Sequence, residues 1–329
     1  MSTLSDMPSS SLDNGQGVID PDVFFEQNKA PANLAEFEAK LEAFVSYHQA
    51  QKNRIVFITS GGTTIPLENN TVRFIDNFSS GTRGASSAEY FLRAGYAVVF
   101  MHRQFSLQPF HRHFVPHPHL NFLDYLQVTD NGAKVATAYE QQVKTVMTEY
   151  QQAKDTNRLL LLEFVTLPDY LFKLKSGTRI LSGLQSQVMY YLAAAVSDFF
   201  IPSAKMNDHK IQSRDGGLTL TLDQVPKFLK PLVSVWASQS LIVSFKLETD
   251  EQLLVPKARQ ALESYGHQVV VANMLHTRKH TVTVITKSSE KVVSLSPEEL
   301  ASHVEIESRI IPQLVHIHDA WIDSGSTLA

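Results

Sequence analysis

Two loop segments in this 329-residue chain carry the residue types that grip phosphate. Thr59-Ser60-Gly61-Gly62-Thr63 closes a β-branched run, and Asn77-Phe78-Ser79-Ser80-Gly81-Thr82-Arg83-Gly84-Ala85 leads into a helical pattern. Paired glycines let backbone N–H groups approach a ligand closely, and neighbouring hydroxyls donate to phosphate oxygens. The second segment adds a helix N-terminus, whose free N–H groups and positive dipole end attract anions. Each loop also has an ordinary reading, as a turn after a strand or a Ser/Thr cap on a helix. Their succession before the next strand suits two loops embracing one polyphosphate. Further on, Ala193-Ala194-Ala195 leave room for something bulky against the backbone, and Asp198 sits where binding carboxylates collect beyond parallel strands. Close helix–sheet packing with Asp198 as a cap is the alternative. Lys210 could meet phosphate charge or stay solvated. Phe245 could stack on a base and Asn273 read its edge, or they could be a core aromatic and a turn former. His111, His113, His117 and His119 crowd one Pro-containing loop. Alternate histidines can bind metal, but no acidic partner accompanies them and no metal site is assigned.

The elements that must position these residues are legible as an alternation. Short apolar runs at Arg54–Thr59, Tyr96–Met101, Arg158–Val165, Val188–Val196, Leu241–Leu247 and Val269–Ala272 read as strands. Between them helices are expected at Thr82–Ala94, Ala133–Lys154, Pro168 to about Gly183, Pro226–Trp236 and Asp250–Tyr265. A first helix starts near Asn33, capped by its side chain with Glu36 completing a capping box. Thr281–Thr286 and Val292–Leu295 form a final strand pair, and a helix from Pro297 to about His318 closes the chain. Apolar strands alternating with helices predict an α/β, Rossmann-like three-layer sandwich with a mainly parallel central sheet and a small additional β element. Ligands in such sheets bind beyond the C-terminal strand ends. The expected organisation is a flexible tail over 1–23, one domain over 24–318 and a C-terminal tail over 319–329.

A net charge of −4, from 29 basic and 33 acidic residues, gives no large single-sign field and argues against nucleic-acid binding. The absence of cysteine removes disulfides, cysteine-ligated zinc, iron–sulfur clusters and thiolate catalysis by this chain. No apolar run is long enough to span a bilayer, and the Ser/Asp-rich start does not read as a signal or transit peptide. A cytoplasmic protein with no membrane partner is expected, and nothing in the sequence bars the nucleus. No G-x-G-x-x-G follows a strand, and neither G-x-x-x-x-G-K-[ST] nor G-x-S-x-G occurs.

Taken together, Thr59–Thr63 with Pro66-Leu67-Glu68, Val72 to Gly81 (VRFIDNFSSG), Tyr191 to Phe199, His209 to Ser213, Val225-Pro226-Lys227, Ser244 to Asp250 and Val269 to Asn273 resemble the eukaryotic phosphopantothenoylcysteine synthetases of coenzyme A biosynthesis, in that family's order. The resemblance runs from about Phe24 to His318. It implies a homodimer that joins 4′-phosphopantothenate to the amino group of cysteine through an acyl-nucleotide. ATP (or CTP) would be the cosubstrate, with Mg²⁺, and other coenzyme A pathway enzymes are possible partners. It implies that Gly62, Ser79, Gly81 and Gly84 hold the nucleotide, with Phe245 and Asn273 near the base. Asn77 would bind the substrate carboxylate or stabilise the acyl intermediate. Ala194, Ala195 and Asp198 would line the pantothenate arm. Arg73 would meet the substrate phosphate, within a subunit or across the dimer interface, and Lys210 would neutralise the activated phosphate. The lysine-rich K-I-K-K segment of the bacterial enzymes reads here Lys210-Ile211-Gln212-Ser213, so only its first lysine matches. The flavin-dependent decarboxylase half of those enzymes has no counterpart, so the next step is expected elsewhere. Competing readings are an NADP-dependent reductase, with Arg103 on a 2′-phosphate, and a noncatalytic nucleotide-binding subunit.

Overall fold

The computed structural model describes residues 20–115, 121–212 and 216–326. Residues 1–19 of the tail expected over 1–23, together with His117, His119 and Ser213, lie outside the described residues.

Strands β1 (Ile55–Ser60), β2 (Thr64–Pro66), β3 (Phe74–Asp76), β4 (Ala97–Arg103), β5 (Leu126–Thr129), β6 (Gly132–Val135), β7 (Leu159–Phe164), β8 (Val188–Leu192), β9 (Phe199–Phe200), β10 (Asp223–Gln224), β11 (Leu241–Glu248), β12 (Val269–Met274), β13 (Thr281–Ile285) and β14 (Glu290–Ser294) alternate with nine α-helices among the described residues, besides short 3-10 and π turns. The helices are α1 (Pro21–Gln27), α2 (Leu34–Ala50), α3 (Thr82–Arg93), α4 (Glu140–Asp155), α5 (Leu167–Leu181), α6 (Leu229–Pro231), α7 (Glu251–Tyr265), α8 (Pro297–Ala301) and α9 (Glu307–Asp323). Eight strands form one sheet in the order β14-β13-β12-β11-β8-β1-β4-β7. Its six strands from β12 to β7 are parallel, and β13 and β14 add an antiparallel edge. The chain runs outward from β1 to β4 and β7, then returns to the other side of β1 at β8. The strand order therefore switches between β1 and β8, where open α/β sheets bind ligands.

Successive side chains of β1 serve opposite layers, as strand geometry requires. Ile55 and Phe57 pack with α2 and α5, and Val56 and Ile58 pack with α3 and α9. Gly177 in α5 allows this approach, because a Cβ there would come 2.9 Å from the Phe57 ring.

Several boundaries depart from expectation. Asn33 makes no side-chain cap, and Glu36 pairs with Lys40 at 2.7 Å instead of closing a capping box. Gly132–Val135 is a hairpin strand, so the helix expected from Ala133 begins at Glu140. The strand expected to Val196 stops at Leu192. The helix expected over Pro226–Trp236 is only the single turn α6 followed by a wide turn. The last helix is broken between α8 and α9, where His303 has a φ of 55°. Helix α1 starts three residues ahead of the expected boundary at Phe24, held by Asp20 as cap and Phe24 fully inside. At the other end α9 continues past His318 to Asp323. Buried Trp321 donates its Nε1–H to Gln239 O at 2.9 Å, so this stretch is core rather than tail.

Candidate active site

The loop after β1 is knitted to the segment after β8. Ala195 N donates to Gly61 O at 2.7 Å, Thr63 N to Ala195 O at 3.1 Å, and Ser197 N to Thr63 Oγ1 at 3.0 Å. Ala194 and Ala195 are half-buried along this seam at the switch point. Gly61 needs its φ of +86°, which glycine adopts without strain. A Cβ on Gly62 would collide with the Asn77 carbonyl, and one on Gly84 would overlap Ser60. These two glycines thus press the two phosphate-type loops together. Ser60 Oγ also donates to Gly81 O at 3.1 Å, and Gly81 stands in the left-handed conformation at the start of α3. Ser79 is half-buried on the same turn.

Asn77 follows β3, which pairs with β2 to form a small flap beside this seam. Its backbone N donates to Thr63 O at 3.4 Å, while its side chain has no hydrogen bond among the described residues. Arg73 stands at the flap's other side. Its Nη1 donates to Glu68 Oε1 at 3.0 Å and to Ile211 O at 3.1 Å, which brings it next to Lys210. Lys210 is exposed on a loop. Asp198 caps no helix; its side chain is 77% exposed, 3.8 Å from Lys227 Nζ. Arg103 is engaged in an ion pair with Asp76, which leaves it poorly placed for the 2′-phosphate of the reductase reading.

Phe245 and Asn273 come from β11 and β12, further along the same C-terminal sheet edge. The Phe245 ring meets Tyr191 edge-on, with centroids 4.9 Å apart. Asn273 is buried; its Nδ2 donates to Lys246 O at 3.1 Å, and its Oδ1 has no partner among the described residues. A buried acceptor left unpaired costs about 1–3 kcal/mol, so it points to a donor supplied from outside the chain. Of the histidine loop, His113 pairs with buried Glu89 at 2.9 Å. Burial pushes the Glu89 carboxyl up, but hydrogen bonds from His113 and Arg112 prevail and bring it to about 2.

Sequence reasoning gave no role to Glu68. Its buried carboxylate accepts from Arg73 and from Ile211, far away in the chain. The signal was present only as the acidic residue five positions before Arg73.

Residues 51–117 and 133–310 match the family described as the DNA/pantothenate metabolism flavoprotein C-terminal domain. The chain is 43% identical to the phosphopantothenate–cysteine ligase Cab2 of Saccharomyces cerevisiae, over 92% of this chain and 87% of that one. It is 45% identical to the human phosphopantothenate–cysteine ligase, over 92% and 98% of the two chains. It superposes on a Cab2 variant in complex with phosphopantothenate-cysteine with a TM-score of 0.87 at 45% identity, covering 93% of this chain and all of that one. A Streptococcus pneumoniae member of the flavoprotein family, at 21% identity and a TM-score of 0.56, shares the fold. The switch-point loops, the β2–β3 flap and these alignments agree: the chain belongs to the phosphopantothenate–cysteine ligase family.

Proposed function

We propose that this chain joins phosphopantothenate to cysteine in coenzyme A biosynthesis, with ATP favoured over CTP. The substrate carboxylate attacks the α-phosphorus of the nucleotide and pyrophosphate leaves. The cysteine amine then attacks the acyl carbon, the nucleoside monophosphate departs, and the amine loses a proton. A carboxylate is a poor electrophile, and the acyl-nucleotide supplies the leaving group it lacks.

The observation that carries this reading is the convergence of Gly61–Thr63, Asn77–Gly84 and Ala194–Ala195 at the switch point of a chain so similar to the product-bound Cab2 fold. In it, Gly62, Ser79, Gly81 and Gly84 shape the polyphosphate cradle, with Gly62 and Gly84 acting through loop packing. Asn77, with an uncommitted amide, would donate to charge developing on the reacting carboxyl, a term of about 3–4 kcal/mol in comparable sites. Phe245 and the orphaned Asn273 Oδ1 would take the base, the latter accepting from its exocyclic amino group. Ala194, Ala195 and Asp198 would flank the pantothenate arm. Arg73 would bind the substrate phosphate, and Lys210 the activated one. Mg²⁺ neutralises phosphate charge when bound. Among the described residues no cluster of three His, Asp or Glu side chains could hold a metal, so its ligands would come largely from the triphosphate.

Val72 and Phe74 on the flap, Phe78 just after it and Phe105 after β4 are exposed, apolar surface that suits a second copy of the chain. No described helix is long and apolar enough to cross a membrane; a cytoplasmic location remains part of the proposal. The testing experiment is pyrophosphate release with phosphopantothenate, Mg²⁺ and ATP or CTP, with and without cysteine. Sustained cysteine-dependent turnover is expected, faster with ATP. No release from folded protein with either nucleotide would refute the reading.

A further inference from the structure

Glu68 stands at the junction of two segments that meet nowhere near each other in sequence. Its side chain is fully buried. Oε2 accepts from Val72 N at 3.3 Å and Arg73 N at 3.0 Å; Oε1 accepts from Arg73 Nη1 at 3.0 Å and Ile211 N at 3.3 Å. Its backbone bridges to Asn207, and Asn69 N and Asn70 N donate to Asn207 O and Asp208 O at 2.8 and 3.1 Å. The segment from Asn207 to Lys210 is polar and exposed, so it has little apolar surface with which to dock itself. The Asn69 to Asp208 side-chain bond, at 2.7 Å, faces water that competes for it. Asn70 Nδ2 also donates to Asp208 O at 2.9 Å, and the buried carboxylate adds to these a charge-assisted bond shielded from water, extended by the Arg73 guanidinium that it holds against Ile211 O.

The geometry at Arg73 adds direction to that fastening. Both of its side-chain bonds are made by Nη1, so Nη2 and Nε have no partner among the described residues. The guanidinium is gripped at one corner while its other donors remain open, as two-point recognition of a phosphate requires.

We propose that Glu68 is a positioning residue for the ligase reaction. Its carboxylate locks the Arg73 guanidinium and the Lys210 segment into one unit, so that the cation for the substrate phosphate and the cation for the activated phosphate are set together. This rests on the phosphate roles given to Arg73 and Lys210 above.

The test uses full-length Glu68→Gln, which is isosteric and keeps an acceptor, beside Glu68→Ala and Arg73→Ala. Steady-state kinetics and hydrogen-exchange mass spectrometry are read together, with exchange in the β1 strand as the internal check on folding. In Glu68→Gln the KM for phosphopantothenate is expected to rise about tenfold, the loss of one charge-assisted bond. The KM for the nucleotide should change less. Exchange over 69–73 and over 207–212 should accelerate together, while β1 stays protected. Unchanged exchange over 207–212 in a folded variant overturns the coupling, as does an equal rise in both KM values. If Glu68→Ala fails to fold, Glu68→Gln alone decides. An Arg73→Ala protein with unaltered KM for phosphopantothenate would remove the phosphate role of Arg73, while the exchange data still judge the Glu68 coupling separately.

Discussion

Gly62 lies so close to Asn77 that any side chain at 62 would occupy the space of the Asn77 carbonyl. The glycine that sequence suggests as a phosphate cradle thus has a second task, setting where the flap delivers Asn77. Gly62→Ala should displace that carbonyl, and with it the side-chain amide. A misplacement of about 1 Å costs about 100-fold in rate, so kcat should fall by that order. Asn77→Ala should match or exceed this loss while leaving nucleotide binding nearly intact. Measuring nucleotide affinity by calorimetry beside turnover checks both, and a Gly62→Ala enzyme with native kcat would contradict the placement.

Lys210 gives a cleaner separation of chemistry from fold, because its side chain is exposed and makes no ion pair among the described residues. Lys210→Gln should slow the pyrophosphate-releasing step by 10-fold or more, on the order expected for losing one charge on a phosphate. The melting temperature should stay within about 1 °C, since surface substitutions rarely exceed about 0.5 kcal/mol. A large drop in melting temperature would show that the loop is structurally committed through this residue.

The orphaned Oδ1 of Asn273 predicts base selectivity. An acceptor at this position favours nucleotides with an exocyclic amino group and opposes those carrying a carbonyl there. ITP and UTP should therefore be poorer cosubstrates than ATP and CTP by about 10- to 100-fold in kcat/KM. Asn273→Ala removes the acceptor and should narrow the gap between ATP and ITP. Equal use of ATP and ITP by the native enzyme would detach Asn273 from the base.

The parallel strands were legible because each is a short apolar run between breakers, and β1, β4, β7 and β11 keep nearly the expected limits. Helix α1 was not, because what holds Phe24 is the distant pair Phe200 and Phe228, with ring centroids 5.3 and 5.2 Å away. The β5–β6 hairpin carries a local signal, Asp130-Asn131-Gly132 between two short runs, but Ala133–Val135 merges in residue type with the polar helix that follows. Trp321 looked like tail because its partner Gln239 lies in another loop. The site divides the same way. Loops whose chemistry is local, Thr59–Thr63 and Asn77–Gly84, could be found from residue types. Glu68 could not, because its role exists only once residues near 70 and near 211 have been folded together.

Two buried histidines predict acid sensitivity. Burial holds His318 at about 4, although its bond to Ser186 O opposes the shift, and burial alone holds His267 at about 4. Both are neutral in the fold, while in the unfolded chain they bind protons near pH 6.5. Below that value the unfolded state takes up more protons, so stability is complete above about pH 6.5 and declines as pH falls toward 4. Each group should cost about 2 kcal/mol by pH 5. His267→Asn should flatten the slope of unfolding free energy against pH between 6.5 and 4, whatever it does to stability at pH 7. An unaltered slope would mean that His267 is not kept neutral by the fold.

Phe78 and Phe105 are 96% and 95% exposed, and each follows by two residues one partner of the Asp76–Arg103 ion pair that ties β3 to the end of β4. Two fully presented phenylalanines beside a reactive seam carry a hydration cost that a partner surface relieves, by about 1.5–3 kcal/mol for each ring buried. A two-fold contact would use both rings twice, once from each copy. Phe78→Glu would place charge at the centre of such a contact. The native chain should sediment as a dimer and Phe78→Glu should shift toward monomer. If Arg73 or Asn77 reaches its substrate only in the closed dimer, turnover should fall in step with the dimer fraction as protein is diluted. Sedimentation and activity measured over one dilution series decide this. A native monomer, or a monomeric variant with full turnover, would leave each site complete within its own chain.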